Sequence, residues 1–245
     1  MITSVKNEKI KGLRKLQKRR EREASQKFLV EGFHLVEEAR ESDWVIEELI
    51  IQEGTDIPEW CYQYKLFEVS SNVFQHFSQM KTPQGIAAVV RMNEIKEVKG
   101  NYMLLIDSIQ DPGNLGTMIR TAEAAGYDGI ILGNDTVDMF NDKVIRATQG
   151  SIFHIPVIKE NLEEKVADLK KKGFQIWATA LKNAKKYNEV NVGDKVALIV
   201  GNEGAGVKDP LLQLADSIVT IPIYGKAESL NVSIAAGILM YYTKS

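Results

Sequence analysis

The chain has 245 residues, 44% apolar and 26% charged, and a formal net charge of −2 at neutral pH. This composition excludes a disordered chain and suffices for two domains or one large one, while no stretch reaches the roughly 20 apolar residues that span a bilayer. A polar, basic start without a signal-peptide segment and a lone cysteine, Cys61, that cannot close an internal disulfide make a cytoplasmic location the expectation; His34, His76 and His154 lack metal-ligand spacing, so no metal is expected.

Charge is unevenly spread. The first 27 residues hold ten Lys or Arg against three Glu, a local charge of +7 that leaves −9 for the remainder. Such a basic arm, with Lys9, Lys11, Arg14, Lys15, Lys18, Arg19 and Arg20, attracts a polyanion, because each cation that neutralises a phosphate releases counterions. A solvated amphipathic helix is the plainer alternative. After the arm, FLVEG, VIEELIIQ, LFEVS and GIAAVV read as short strands, with FHLVEEARES, PEWCYQY and SNVFQHFSQM as helices or turns between them. Phe28, Phe33 and Tyr64 are expected in the core of this unit. The charged stretch 93–101, ending in Gly and Asn, reads as a linker between a domain of residues 1–92 and one of residues 102–245.

The second series has strand candidates MLLIDSI, GIILG, HIPVI, FQIWATAL, KVALIV and SIVTIPI, and helices expected from Asn114, Asn141, Asn161, Val207 and Asn231. Strands separated by helical stretches imply right-handed crossovers and a mainly parallel sheet, so the fold class is α/β. His154 is expected to be packed and hydrogen-bonded at a strand start. In NDKVIRATQGSIFHIPV, Arg146, Thr148 and Gln149 either face solvent or line a pocket.

Three loops of this series concentrate polar residues. MLLIDSI enters QDPGNLGTMIRTAEAAG, where Asp111, Pro112 and Gly113 form a turn, Asn114 can cap, and Leu115, Ile119 and Ala122 recur at helical spacing. Arg120 follows on the second turn, near a strand end where open parallel sheets bind ligands; a solvated face residue is its alternative. In GNEGAG the small residues let backbone N–H groups approach a ligand, although a plain sharp connection has the same composition. Glu228, Ser229, Asn231 and Ser233 precede the apolar run AAGILMYY, and capping accounts for one or two of them but not four.

A dinucleotide fold is excluded by position. Its glycine loop follows the first strand and needs several βα units behind it, whereas GNEGAG follows the fifth strand candidate of the series with 39 residues remaining. The P-loop pattern GxxxxGK[ST] is absent.

The combination NxGxxxRT (Asn114, Gly116, Arg120, Thr121), GNEGxG (Gly201 to Gly206) and IP with ESLNVS (Ile221, Pro222, Glu228 to Ser233) resembles the SpoU (TrmH) family of SPOUT methyltransferases. These move a methyl group from S-adenosylmethionine to the ribose 2′-hydroxyl of RNA. The resemblance covers Met103 to the C-terminus; FLVEGFHLVEEA and TPQG more weakly resemble the substrate-binding domain often attached to this family, similar to the ribosomal L30e fold. Thr148 stands where members often have serine, and keeps the hydroxyl.

The resemblance implies a trefoil knot at the C-terminus, an exception to the rule against knots. It implies S-adenosylmethionine held near Gly201, Asn202, Gly204, Gly206, Ile221, Pro222, Leu230, Asn231 and Ser233, with Thr179, Ala180 and Leu181 beside it. Catalysis would centre on Arg120, with Asn114, Glu203, Ser229 and Asn231 shaping the hydrogen-bond network. A guanidinium hardly deprotonates, so Arg120 is expected to grip the phosphate or the 2′-oxygen bidentately rather than act as base. RNA would meet the basic arm and Arg146. A homodimer is implied, its contact the final helix, where Ala235, Ala236 and Gly237 permit close approach, as they would for burial within one chain. The two-domain layout resembles ribosomal RNA enzymes and favours large-subunit (23S) rRNA; a tRNA 2′-O-methyltransferase, a non-catalytic RNA-binding protein and a small-molecule α/β enzyme are the alternatives.

Overall fold

The structure, a computed structural model, describes residues 1–95 and 97–245. The chain forms two compact units, one of Met1–Glu94 with Phe140–Phe153 and one of Ile95–Met139 with His154–Ser245.

In the first unit the basic segment is not a free arm. Helix α1 (Glu8–Lys15) is capped by the Asn7 side chain, which accepts from the Lys9 N–H, and carries Glu8 in its first turn and Arg14 and Lys15 in its last, matching the helix dipole. Its apolar face, Ile10 and Leu13, is buried in a core with Val73, Phe74 and Phe77. Helix α2 (Arg19–Ser25) then leads into a sheet of β1 (Lys27–Glu31), β2 (Ile46–Gln52), β3 (Leu66–Val69) and β4 (Ile86–Arg91). Its order is β1-β4-β2-β3, antiparallel except for the parallel β2–β3 pair. Helices α3 (Phe33–Arg40) and α4 (Ser71–Phe77) complete it, and PEWCYQY, expected as a helix or a turn, forms a 3-10 helix over Glu59–Gln63.

Residues Phe140–Phe153, expected within the second series, pack with this first unit. The Phe28 ring lies 4.7 Å from Phe140 and 5.7 Å from Trp44, and Trp44 lies 5.5 Å from Phe153. Phe28 is fully buried, as its sequence context predicts, while Phe33 and Tyr64 are half-buried. His154 is exposed and lies three residues before its strand rather than packed at its start; the Phe153 and Ile155 side chains on either side occupy the interior instead.

In the second unit, the stretch expected as a linker contributes Ile95 and Val98 to the core, and the Val98 side chain fills the space a β-carbon on Gly129 would need; Lys96 of that stretch lies outside the described residues. The elements are β5 (Tyr102–Ile106), α5 (Pro112–Ala124), β6 (Gly129–Leu132), α6 (Asp142–Thr148, part of the first unit), β7 (Val157–Lys159), α7 (Leu162–Lys171), β8 (Gln175–Thr179), β9 (Lys185–Lys186), β10 (Val196–Val200), α8 (Asp209–Leu214), β11 (Ser217–Thr220) and α9 (Val232–Lys244). All seven strands are parallel, in the order β7-β6-β5-β10-β8-β11-β9. The near-continuous apolar runs of β5, β6, β8 and β10 reflect burial on both faces. One face packs on α7 and α8 through Met103, Leu105, Ile176, Ala197 and Ile199, and α5 and α9 pack on each other, with α9 lying over β10. Sequence succession runs outward from β5 to β7 and then returns to the other side of β5, so β5 and β10 flank the switch point where the ends of parallel strands open a crevice. No helix among the described residues is long and apolar enough to cross a membrane.

Candidate active site

Parallel pairing puts the C-terminal ends of β5, β10, β8 and β11 side by side, and each predicted motif leaves one of these ends. Helix α5 begins at Pro112, earlier than the expected start at Asn114. Asp111 is the cap: its side chain accepts from the Asn114 N–H at 2.8 Å, and proline at the first position needs no N–H partner. This frees the Asn114 amide for a second task. Its Nδ2 donates to Glu203 Oε1 at 3.1 Å, and its Oδ1 accepts from Asn231 Nδ2 at 3.0 Å. Asn231 caps α9, its Oδ1 accepting from the Ser233 N–H at 2.9 Å and the Ser233 hydroxyl at 2.6 Å. Glu203, Asn114 and Asn231, far apart in sequence, thus form with Ser233 one hydrogen-bonded chain across three loops.

Glu203 also accepts from the backbone N–H groups of Asp111 at 3.1 Å and Gln110 at 3.3 Å. Burial pushes its carboxyl up, but the bonds from Asn114, its own N–H, Asp111 and Gln110 together outweigh that and hold its pKa below the usual carboxylate value. A carboxylate with a depressed folded-state pKa stabilises the fold above its unfolded value, and the contribution is lost as pH falls through the folded one. In urea denaturation between pH 7 and 3, the stability difference between wild type and Glu203→Gln is therefore expected to be constant at neutral pH and to shrink only below the ordinary carboxylate range; a difference independent of pH contradicts this.

The glycine loop differs from its sequence reading. Its N–H groups are turned inward: Asn202 N donates to Gly206 O at 3.0 Å, Gly206 N to Asn202 O at 2.9 Å, and Gly204 and Ala205 N both to Asn202 Oδ1 at 3.0 Å. A β-carbon on Gly201 would fall inside the backbone of Gly206 and Val207. Glycine is required there for closure of the loop on itself, not for the approach of a ligand, and Gly206 is needed for its φ of +75°. Asn202 Nδ2 fastens the closed loop to Ser108 O at 2.8 Å.

Two residues outside the predicted set hold the crevice. Asp107, 3% exposed at the end of β5, accepts from the Lys208 N–H at 2.9 Å and the Ser108 hydroxyl at 2.8 Å. The Lys208 ammonium lies 3.6 Å from Asp107 and 2.7 Å from Asp135, and the hydrogen bond it donates to Asp135 first, then the two carboxylate charges, raise its pKa. The sequence signal for Asp107 is a lone carboxylate inside MLLIDSI. Ser108 next to it sits at φ +60°, a costly conformation for a non-glycine residue and the kind of strain found at functional sites.

Of the other predicted residues, Thr179 ends β8 and donates to Ile199 O at 3.3 Å, and Ala180 N extends the ladder to Val219 O at 3.1 Å. Leu181 is 64% and Leu230 37% exposed, with Ile221 and Pro222 half-buried. Each leaves some apolar surface uncovered, on segments leaving β8 and β11. Arg120 is exposed and has no hydrogen-bond or ion-pair partner among the described residues. Gly116, one turn earlier on the same face, adds no side chain to the path along which an arginine leans toward the helix start. Glu228 and Ser229 are exposed and outside the hydrogen-bonded chain.

The small-residue face of α9 is used within the chain: Ala236 is buried, and a β-carbon on Gly237 would touch Thr121 of α5 at 3.4 Å. The opposite face exposes Ile234, Ile238 and Tyr241.

Among the predicted RNA contacts, five cations have partners. Lys9 pairs with Glu48 at 2.6 Å, Lys11 with Glu8 at 2.7 Å, Arg19 with Glu23 at 2.7 Å and Arg146 with Asp142 at 2.6 Å, and Arg14 lies 3.0 Å from His76. Lys15, Lys18 and Arg20 are exposed without such partners among the described residues.

Residues 101–241 match the SpoU rRNA methylase family, and residues 7–88 match the MRM3-like substrate binding domain. The chain is 47% identical to the 23S rRNA (guanosine(2553)-2′-O)-methyltransferase RlmP of Bacillus subtilis, over 99% of this chain and 98% of that one. It is 30% identical to a putative TrmH family tRNA/rRNA methyltransferase of Staphylococcus aureus, over 87% and 94% of the two chains. The AdoMet-bound rRNA methyltransferase from Sinorhizobium meliloti superposes with a TM-score of 0.89 at 32% identity, covering 99% of this chain and 96% of that one. The motifs, the all-parallel sheet and this full-length similarity agree: the chain belongs to the SpoU rRNA methylase family.

Proposed function

We propose that the chain transfers a methyl group from S-adenosylmethionine to the ribose 2′-hydroxyl of a guanosine in 23S rRNA. The observation that carries this reading is the near full-length similarity to a 23S rRNA guanosine 2′-O-methyltransferase. When bound, S-adenosylmethionine supplies a sulfonium methyl group for in-line displacement by an oxygen. The uncovered apolar surface of Leu181, Ile221 and Leu230 suits its adenine, and Thr179, Ala180, the Gly201–Gly206 loop and the residues Pro222, Asn231 and Ser233 border the same strand ends.

The remaining work is done by the chain's own groups. Arg120, without a partner among the described residues, grips the phosphate or the 2′-oxygen through its fork of donors and stabilises the negative charge that develops as the proton leaves. Asn114 and Asn231 hold the starts of α5 and α9 in register with Glu203, a positioning role. Ser229 joins the network once RNA is bound. In this reading the C-terminal segment is threaded as a trefoil knot, the enzyme works in the cytoplasm, and the exposed stripe Ile234, Ile238 and Tyr241 is covered by a second copy in a homodimer.

The first unit supplies RNA affinity through Lys15, Lys18 and Arg20. Replacing all three by Ala is expected to weaken binding of 23S rRNA at low salt and to reduce the slope of log affinity against log salt by about 2 to 3; an unchanged slope assigns the contact elsewhere. The reading as a whole is tested by supplying methyl-labelled S-adenosylmethionine with undermethylated 23S rRNA and, separately, tRNA. Label is expected in 23S rRNA, and label confined to tRNA overturns the substrate assignment.

A further inference from the structure

Tyr224 is 95% exposed, the most exposed of the large apolar and aromatic side chains, and its ring and hydroxyl have no partner among the described residues. It lies in the irregular loop between β11 and α9, beside the residues read above as binding S-adenosylmethionine. Both ends of that loop are fixed, one by the Ala180–Val219 bond at 3.1 Å and the other by the Asn231–Asn114 bond at 3.0 Å. An aromatic ring left in water keeps a large apolar area available to a ligand.

The next two residues extend the pattern. Gly225 is outside the left-handed region, and a β-carbon added there would meet nothing within 4 Å. Neither backbone conformation nor packing calls for glycine, and its effect is to leave the space beside the ring open. Lys226 is exposed and has no ion-pair partner among the described residues.

We propose that Tyr224 is a stacking platform for a nucleobase of the RNA substrate beside the transfer site, and that Lys226 takes the adjoining phosphate. Unpaired bases are recognised by stacking on aromatic rings, with cations following the backbone. Lys226 fits RNA because a phosphate adjoins every stacked base; the carboxylate of S-adenosylmethionine is the competing anion, and the cofactor affinity of Lys226→Ala and Tyr224→Ala distinguishes the two. The inference rests on the RNA methyltransferase reading.

The test compares wild type, Tyr224→Ala, Tyr224→Phe and Lys226→Ala on unmodified, in vitro transcribed 23S rRNA. Tyr224→Ala is expected to raise the RNA KM roughly tenfold, within the range that base stacking on an aromatic side chain supplies, with kcat, S-adenosylmethionine affinity and sedimentation mass unchanged. Tyr224→Phe retains the wild-type KM, and Lys226→Ala raises KM with a shallower salt dependence. A wild-type KM for Tyr224→Ala overturns the proposal, as does weakened S-adenosylmethionine binding or an altered mass as the main effect. RNA affinity measured by filter retention separates the two readings. Absence of transfer by wild type removes the methyltransferase reading, whereas equal RNA retention by wild type and Tyr224→Ala removes the stacking platform.

Discussion

Arg120→Ala is expected to lower kcat for methyl transfer about 100- to 1000-fold, the usual cost of removing one donor aimed at a developing oxyanion, while affinity for S-adenosylmethionine stays within twofold. Arg120 is exposed, no carboxylate among the described residues holds it, and the core of α5 is supplied by Leu115, Met118, Ile119 and Ala122, so it has no structural work there. Its loss should leave the fold and the thermal midpoint unchanged. Arg120→Lys keeps the charge and loses the planar fork, so it should recover only a small part of the rate. Single-turnover transfer with saturating S-adenosylmethionine measures both variants. Near-wild-type turnover by Arg120→Lys would remove the bidentate role, and a fall in cofactor affinity would make Arg120 a binding residue instead.

Gly201→Ala is expected to be among the most damaging single-methyl changes in the chain. The new carbon falls inside the backbone of Gly206 and Val207, so the loop must open. Opening breaks the reciprocal Asn202–Gly206 bonds and displaces Asn202 from Ser108. Overpacking costs about 1 to 3 kcal/mol and each lost backbone bond about 1 kcal/mol, so a destabilisation of roughly 3 to 5 kcal/mol is expected, with loss of S-adenosylmethionine binding. Gly204→Ala is the control, because its β-carbon would meet only Asn202 Oδ1 at 3.7 Å. Urea denaturation and equilibrium dialysis of the two variants should differ sharply; equal stability would mean the loop relaxes at no cost.

The architecture was readable because the apolar runs are long and well punctuated. All ten expected strands are present, from FLVEG to SIVTIPI, and the caps at Asn141, Asn161 and Asn231 start α6, α7 and α9. The two-residue β9 was missed because Lys185 and Lys186 carry no apolar signal and pair only at a sheet edge. Start positions failed where a stronger cap lay upstream, as Asp111 lies before Asn114. The basic segment looked like a free arm because its charge hides two core residues, Ile10 and Leu13, placed three apart.

Site chemistry was less legible. The three motifs could be matched to the SpoU pattern, but not the direction of their polar groups. Glycines in GNEGAG suggested N–H groups open to a ligand, whereas Asn202 takes them up within the loop. The bond chain Glu203–Asn114–Asn231 depends on strand order, which periodicity does not specify, and β10 reaches its place between β5 and β8 only through the sheet's topology. The split of the basic residues into paired and unpaired sets depends on Glu8, Glu23, Glu48, His76 and Asp142, whose proximity to them is three-dimensional for Glu48 and His76 and helical for the rest.

The most direct test of the central claim is the chemical position of the transferred methyl group. Label incorporated into 23S rRNA by the wild-type protein is digested to nucleosides and resolved by mass spectrometry against 2′-O-methylated and base-methylated standards. The expected product is 2′-O-methylguanosine at a single site, formed about 100- to 1000-fold more slowly by Arg120→Ala. Label on a base, or on ribose in the presence of Arg120→Ala at an unchanged rate, would contradict it.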